Sequence, residues 1–277
     1  MNTLLINDSR LVNATETISS IPHCIRELIE NSIDAQSTII SVRLTGGGLE
    51  SIVIVDNGCG ISREGLELIC TEGATSKILG SNTSGGRGKA LNAISALSNL
   101  IVESSTSDNG TGYRLSFQDG ERIIEPCARS RGTCITIQSI FHTYPVRRRY
   151  SIEHKSRIVS QIQDVCGFFA IATKISITLL VDNKNVIQVS NLNQSQRIKS
   201  ILGINISKGL LTGSTCLDQW APDSTLEYFT SSPTTQSNGK IFIVVNERPV
   251  YNNTLVHALK QEFHLCAGPK DPTIILY

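Results

Sequence analysis

Several features that would define a protein class at once are missing from this 277-residue chain. Its eight cysteines occur singly and never at CxxC spacing, which excludes a zinc ribbon and argues against a disulfide scaffold. The longest purely apolar runs are about five residues, as at Ile241 to Val245, so we expect no membrane span. A net charge of +1 also separates the chain from strongly basic nucleic-acid clamps and from disordered tails.

The residues that are present suffice for an α+β protein with one large or two modest domains, since 40% of them are hydrophobic. Helical spacing of apolar residues predicts a helix over residues 18–35, and short apolar runs predict strands at 39–44 and 52–55. After residue 189 the pattern changes, and residues 191–195 are interpreted as a linker. We expect a first domain over residues 1–190 and a smaller α+β domain over residues 191–277.

Glu27 and Asn31 are the first pair with chemical potential, because residues four apart share a helix face. A carboxylate can order and deprotonate a water, and an amide oxygen is a hard ligand that suits Mg²⁺. A solvated polar face would use the same residues.

A second element follows a predicted buried strand, where Asp56, Gly58 and Gly60 form an Asp-x-Gly-x-Gly turn. The carboxylate could accept a hydrogen bond from the amino group of a flat base, and the glycines would let backbone approach the ring. A plain turn uses the same residue types.

The third element is a Gly-Gly-Arg-Gly segment at Gly85 to Gly88, directly before a predicted helix. Free N–H groups at a helix start favour a bound phosphate. The segment lacks the Ser or Thr of a Walker P-loop, because Ala90 follows Lys89, and a flexible connector is the alternative.

The order of the three elements resembles that of the MutL homologues, which are GHKL ATPases of DNA mismatch repair. Residues 26–35, RELIENSIDA, are similar to the family's ELxxNSxDA segment, residues 56–61 to DNGxGI, and residues 85–91 to GFRGEAL. Residues 131–149 resemble GTT…LFxxxPVRRK, and residues 245–249 resemble VNxRP. The PVRR element distinguishes this family from other GHKL proteins, and its details are most similar to the third eukaryotic MutL homologue or the post-meiotic-segregation branch.

The resemblance implies a GHKL (Bergerat) ATPase sandwich of helices on a mixed sheet, followed by a smaller ribosomal-S5-like transducer and DNA-binding domain. It implies Glu27 as the general base and Asn31 as the Mg²⁺ ligand. Asp56, Gly58, Gly60 and Thr133 would contact adenine. The lid and phosphate contacts would come from Thr75, Ser76, Lys77, Arg87, Gly88, Lys89, Ala90 and Leu91.

The implied function is that of an ATP-binding and slowly ATP-hydrolysing N-terminal module, with ATP and Mg²⁺ as cofactors. Such a module acts as an ATP-gated dimerisation and DNA-binding switch, in a heterodimer with another MutL homologue and with MutS-type proteins. For the eukaryotic branches the resemblance implies a nuclear protein of mismatch repair or meiotic recombination.

Departures from the family pattern leave other functions open. Lys89 stands where the family has Glu, Gly86 replaces Phe, and the lid between Lys77 and Gly85 holds only seven residues. The chain ends at Tyr277, before the family segment whose lysine reaches the γ-phosphate, so we expect a fragment or a degenerate copy. A nucleotide- and DNA-binding module without turnover is therefore an alternative, and another GHKL-type ATPase is a further one.

Basic residues are densest at Arg147, Arg148 and Arg149, and Arg248 stands in the second domain. These four arginines are the candidate contacts to DNA phosphates, which would be independent of base sequence and sensitive to salt. No aromatic residues alternate with the cluster as base stacking would require, and an exposed solubilising loop is the alternative.

Overall fold

The computed structural model describes residues 13–69, 87–118, 121–216, 224–232 and 237–277. The chain divides into two compact units. The first contains residues 1–166 and 175–190, and the second contains residues 167–174 and 191–277. Residues 167–174 therefore belong to the second unit, although they lie between the two segments of the first unit in the sequence. Among the described residues, no helix combines the length and apolar character needed to cross a bilayer.

The first unit is a mixed sheet with helices. Its helices are α1 (Ile21–Asp34), α2 (Arg63–Leu68), α3 (Arg87–Leu97), α4 (Pro145–Glu153) and the greater part of α5 (Lys155–Ala172). Its strands are β1 (Ile39–Thr45), β2 (Ser51–Asp56), β3 (Asn99–Ser105), β4 (Thr111–Gln118), β5 (Glu121–Ala128), β6 (Gly132–Gln138), β7 (Ser176–Val181) and β8 (Lys184–Val189).

The eight strands lie in the order β5-β4-β3-β6-β2-β1-β7-β8. Strand β1 pairs in parallel with β7, and the other pairs are antiparallel. In the centre, β2 pairs with β6 so that Asp56 lies opposite Thr133. Two residues 77 positions apart in sequence thus meet at one end of the sheet.

Alternation along β2 decides which side chains are buried, because neighbouring residues of a strand point to opposite faces. Ile52, Ile54 and Asp56 lie on the buried face, and α1 packs against this strand. The same face of α1 that is apolar in sequence is buried, including Ile25, Leu28 and Ile29. The period of two therefore places the Asp56 carboxylate on the side of the sheet that carries α1.

The second unit is a five-stranded sheet with helices. The helices are α6 (Gln194–Leu202), α7 (Ile204–Lys208) and α8 (Asn253–Ala267), and the strands are β9 (Leu210–Cys216), β10 (Thr225–Ser231), β11 (Ile241–Val245), β12 (Arg248–Val250) and β13 (Ile274–Leu276). The strand order is β12-β11-β13-β10-β9. The core of this unit joins residues of the 167–174 segment to α6 and the sheet: Phe168, Ile171, Ala172, Ile198, Leu202, Phe242, Val244 and Ile275.

The expected α+β architecture, with helices on a mixed sheet, is confirmed. The interpretation of residues 191–195 as a linker is wrong for Gln194 and Ser195, which begin α6. Asn193 caps α6, since its side chain accepts a hydrogen bond from Gln196 N at 2.9 Å while Gln196 Oε1 accepts one from Asn193 N. This reciprocal capping box makes polar residues the start of a helix.

Candidate functional site

Helix α1 carries the first candidate residues and begins where capping chemistry predicts. Ser20 is the N-cap, and its Oγ accepts a hydrogen bond from His23 N at 3.3 Å. Pro22 lies in the first turn, where its missing N–H costs nothing. Because the apolar residues bury one face of the helix, Glu27 and Asn31 are left on the less buried side.

Glu27 is held by two neighbours on its own helix. Its Oε1 lies 3.3 Å from His23 Nε2 and 3.3 Å from Arg26 Nη2. The hydrogen bond from His23 is the main reason that the pKa of Glu27 is lowered from its ordinary value. Arg26 also lowers this pKa, whereas burial raises it. The side chain is 31% exposed, so an ionised carboxylate at this position can still reach a water molecule.

Asn31 lies one helical turn after Glu27. Among the described residues, its amide nitrogen is buried and has no hydrogen-bond partner. Buried polar groups are normally paired, so an unpaired amide at this position fits a bound group that the amide would contact. The donor set also suits Mg²⁺, because the other end of the same amide is a hard oxygen.

Asp56 ends β2 and is only 7% exposed. Its Oδ1 accepts hydrogen bonds from Gly58 N at 2.9 Å and from Thr133 N at 3.3 Å, and its Oδ2 lies 3.0 Å from Ser32 Oγ. Ser32 thus connects α1 directly to the end of β2. A buried carboxylate fixed by three donors is a rigid acceptor, which is what recognition of a base amino group requires.

Thr133 and Ser104 extend this polar network into the neighbouring strands. The two hydroxyl oxygens lie 3.0 Å apart, and Ser104 Oγ accepts a hydrogen bond from Ile61 N at 2.8 Å. Both residues are at most 5% exposed. The Asp-x-Gly-x-Gly turn is therefore held at both ends: by the hydrogen bonds of Asp56 at its start, and by the hydrogen bond from Ile61 N to Ser104 Oγ directly after it.

Helix α3, which follows the Gly-rich segment, packs against α1. Arg87 and Gly88 form its first turn, Lys89 is exposed, and Ala90 and Leu91 are buried. The predicted lid residues Thr75, Ser76 and Lys77 lie outside the described residues, as do Gly85 and Gly86. Helix α1 contacts both the Asp56 strand and α3, so it joins the first two elements singled out in the sequence to the helix that follows the third.

Three residues of this region were missed from the sequence alone. Ser32 is adjacent to Asn31, and His23 precedes Glu27 by four residues, so helical spacing could have indicated both. No local sequence pattern indicated Ser104, because its partner Thr133 is 29 residues away.

The candidate DNA-binding arginines differ in their surroundings. Arg147 is partly buried, and its guanidinium donates hydrogen bonds to the carbonyl oxygens of Thr15 and Ile18 at 3.1 to 3.2 Å. Arg148 and Arg149 are exposed on α4, where Arg149 pairs with Glu153 at 2.9 Å. Arg248 is exposed on β12 in the second unit. The structure therefore gives Arg147 protein partners that the sequence did not indicate.

Comparison with known proteins identifies the family. Residues 18–131 match the model of the histidine kinase-, DNA gyrase B- and HSP90-like ATPases. The DNA mismatch repair protein MutL of Ehrlichia chaffeensis is 32% identical over 99% of this chain, and that of Bacillus mycoides is 33% identical over 92%. The chain spans 42% and 40% of the lengths of these two relatives.

Solved structures show the same fold. The N-terminal domain of a DNA repair protein superposes with a TM-score of 0.83 at 23% identity, covering 98% of this chain and 87% of that one. The Aquifex aeolicus MutL ATPase domain complexed with ADP has a TM-score of 0.68 at 20% identity, with 94% and 92% coverage. The chain therefore contains a GHKL-type ATPase domain of the MutL family.

Proposed function

We propose that this chain binds ATP at the site formed by α1, the end of β2 and the start of α3, and that it hydrolyses ATP slowly. The observation that carries the proposal is the fixed Asp56 carboxylate, which Ser32 joins to the helix bearing Glu27 and Asn31. The family and the ADP bound by the Aquifex aeolicus domain support the same assignment.

Adenine recognition is assigned to the Asp56 end of the site. Asp56 Oδ2 would accept a hydrogen bond from the base amino group, in place of or beside the Ser32 hydroxyl that it now contacts. Thr133 would lie beside the base, and the backbone at Gly58 and Gly60 would face the ring. A hydroxyl and a carboxylate that are already oriented lose little freedom on binding, which favours affinity.

The phosphates are assigned to the start of α3. Backbone N–H groups of the first turn have no partner within their own helix, and the helix dipole favours negative charge there. Arg87, Gly88, Lys89 and Ala90 would supply these groups, and the resemblance also places Leu91, the next residue of the helix, at the phosphates. Thr75, Ser76 and Lys77 are proposed as lid residues from the sequence resemblance alone.

Hydrolysis is assigned to Glu27, which would take a proton from the water that attacks the γ-phosphate. Asn31 would hold Mg²⁺ through its amide oxygen, and the metal, when bound, offsets charge that develops on the phosphate. Glu27 is suited to the role because it is ionised and partly open to water.

Phosphate release by Glu27→Ala tests the assignment of the base. We expect the rate to fall by about 100-fold or more, as for other general bases, with nucleotide binding retained. Glu30→Ala is the matched control, because Glu30 lies on the same helix and is 44% exposed. Equal rates for Glu27→Ala and wild type would disprove the role of Glu27, and absence of nucleotide binding by wild type would disprove the function.

A module that binds nucleotide without turnover is the second candidate, favoured by Lys89 in place of the family's Glu and by the seven-residue lid. Its signature would be nucleotide affinity with no phosphate released even at high protein concentration. A measurable rate that depends on Glu27 would exclude it.

We propose in addition that the whole protein acts in DNA mismatch repair, as the names of its relatives indicate. Its partners there would be DNA and MutS-type proteins, as the sequence resemblance implies. The first unit would form the ATP-binding domain expected over residues 1–190, except that residues 167–174 belong to the second unit. The second unit, with residues 191–277, would form an S5-like transducer that helps bind DNA. ATP would gate dimerisation. Pairing with a second MutL homologue, a nuclear location, a meiotic role and placement in a eukaryotic branch stay predictions of the sequence resemblance, whereas the relatives reported above are bacterial.

A further inference from the structure

Glu27 stands at the end of a row of polar contacts that begins before its helix. His23 Nε2 lies 3.3 Å from Glu27 Oε1, and on the other side of the ring His23 Nδ1 lies 3.0 Å from Ser19 Oγ. Ser19 N also donates to the same Nδ1, at 3.5 Å.

These contacts assign the tautomer of His23. A backbone N–H can only donate, so the contact from Ser19 N favours Nδ1 as the acceptor nitrogen and places a ring proton on Nε2. That proton points to the Glu27 carboxylate. Ser19 therefore decides that His23 presents a donor to Glu27.

The segment that carries Ser19 is itself held from a distant part of the chain. Arg147 Nη1 donates to Ile18 O at 3.1 Å and to Thr15 O at 3.2 Å, and Nη2 donates to Thr15 O at 3.2 Å. The guanidinium carbon also lies 5.7 Å from the centre of the Phe141 ring and 6.0 Å from that of Tyr144. An arginine fixed by carbonyls and two aromatic rings is a stable anchor for the residues before α1.

We propose that Arg147, through the segment of residues 15–19 and His23, positions the Glu27 carboxylate for water activation. The proposal deepens the proposed function and rests on it, because it takes Glu27 as the general base. His23 is a positioning residue that does not touch the substrate. Arg147 acts through His23 and has this role in place of a DNA contact.

The physical reason is the freedom of a glutamate side chain. Three rotatable bonds and 31% exposure would let the carboxylate adopt several orientations, whereas catalysis requires one of them near the attacking water. A donor at fixed position selects among these orientations. An ordinary surface pair at i,i+4 spacing would show the same distance but would change turnover little when removed.

Steady-state ATP hydrolysis by His23→Leu and His23→Gln tests the role of His23. The leucine cannot donate a hydrogen bond, and we expect kcat to fall about tenfold with KM for ATP nearly unchanged, as for a misplaced catalytic group. The glutamine amide can donate from a similar position, so its kcat should return to within about threefold of wild type. Wild-type kcat in His23→Leu would overturn the proposal.

The pH profile separates positioning from loss of structure. Removal of the His23 hydrogen bond, the main cause of the lowered pKa of Glu27, should move the acid limb of kcat to higher pH in His23→Leu and less in His23→Gln. The other described charged groups on α1 and on the strand and helix that pack against it are unchanged in both variants: Arg26, Glu30 and Asp34 on α1, Asp56 on β2 and Lys89 on α3. An acid limb at the same pH in all three proteins would contradict the proposal.

A double-mutant cycle tests the connection to Arg147. Ser19→Ala removes the 3.0 Å contact between the Ser19 hydroxyl and His23 Nδ1 and leaves only the longer 3.5 Å donation from the backbone N–H, whereas Arg147→Met releases the segment as a whole. Each should lower kcat by about threefold to tenfold, and the double variant should lose no more than the worse single one, because both act through His23. Circular dichroism and nucleotide affinity confirm that each variant is folded, and Ser19→Ala alone remains decisive if Arg147→Met does not fold. Multiplicative losses would overturn the connection.

The two proposals can fail separately. If Glu27→Ala hydrolyses ATP like wild type, the base assignment is wrong. If Glu27→Ala is inactive but His23→Leu and Ser19→Ala have wild-type kcat, the base assignment stands and only the positioning chain is wrong.

Discussion

Asp56 shows how a single residue combines structure and candidate chemistry. Its carboxylate is buried and accepts from Gly58 N and Thr133 N, with the Ser32 hydroxyl at its other oxygen. An unpaired buried carboxylate would be costly, and these donors compensate for the loss of water. The same donors hold the carboxylate in one orientation, so the contacts that make its burial possible also prepare it to bind.

Gly60 determines how closely the Asp-x-Gly-x-Gly turn approaches β3. Its φ is +72°, and a Cβ added to it would lie 1.9 Å from Ser105 O, a backbone atom that cannot rotate away. Both the left-handed backbone and the contact therefore require glycine at this position.

We expect Gly60→Ala to destabilise the chain by about 3 kcal/mol, the sum of the left-handed strain and the displacement of β3 backbone. Gly110→Ala is the matched control. Gly110 also has a positive φ of +79°, but a Cβ added there would meet no atom within 4 Å, so we expect a loss of only about 1 kcal/mol. Urea unfolding of both variants measures the difference, and equal losses would show that the contact with Ser105 does not matter.

At the scale of elements, α4 shows that a cluster of arginines in the sequence need not form one exposed basic surface. The helix has one buried residue, Ser151, and exposes Val146 and Ile152 besides Arg148 and Arg149. No apolar stripe predicts it, and it begins with Pro145 in the first turn, where proline is favoured. Its arginines then divide into one that faces protein carbonyls and two that face solvent.

Arg148→Glu combined with Arg149→Glu should weaken DNA binding about tenfold or more, equally for all base sequences, and reduce the salt dependence by about two phosphate contacts. Arg43→Glu combined with Lys184→Glu, two exposed residues elsewhere in the first unit, changes the net charge equally and is the control. Fluorescence anisotropy with duplex DNA over a range of salt concentrations gives both quantities. If the two double variants behave alike, α4 contributes only general charge.

At the scale of the whole molecule, each unit is held together by contacts that are distant in sequence. In the second unit Arg197, only 4% exposed, donates to Leu192 O at 2.8 Å, to Ala170 O at 3.1 Å and to Lys174 O at 2.8 Å. These bonds attach the 167–174 segment to α6. Burial lowers the pKa of Arg197, but the group stays charged at neutral pH.

Arg197→Met should destabilise the second unit by about 3 kcal/mol or more, because the carbonyl oxygens that it satisfies become unpaired in a buried place. Lys199→Met, at an exposed position of the same helix, should change stability by less than about 0.5 kcal/mol. Urea unfolding followed by circular dichroism measures the loss of stability in both variants. A midpoint equal to that of wild type would disprove the structural role of Arg197.

Much of the fold could be predicted from the sequence where burial imposes a period. The predicted helix at residues 18–35 is α1 (Ile21–Asp34), and the predicted strand at 52–55 is β2 (Ser51–Asp56). Elements without a buried stripe were missed, because an exposed edge strand or surface helix leaves no periodic signal. They are the helices α4 and α7, the edge strands β5, β8, β9 and β12, and β10, an inner strand whose residues are mostly only partly buried.

By itself, the sequence determined the family and the order of the candidate site elements, because local motifs such as residues 26–35 and 56–61 are written in consecutive residues. Only the tertiary structure decided that Ser32 and Thr133 hold Asp56, that Arg147 bonds the residues before α1, and that residues 167–174 belong to the second unit. The reason is that hydrogen bonds between residues 24 to 129 positions apart depend on strand pairing and helix packing, which no local pattern encodes.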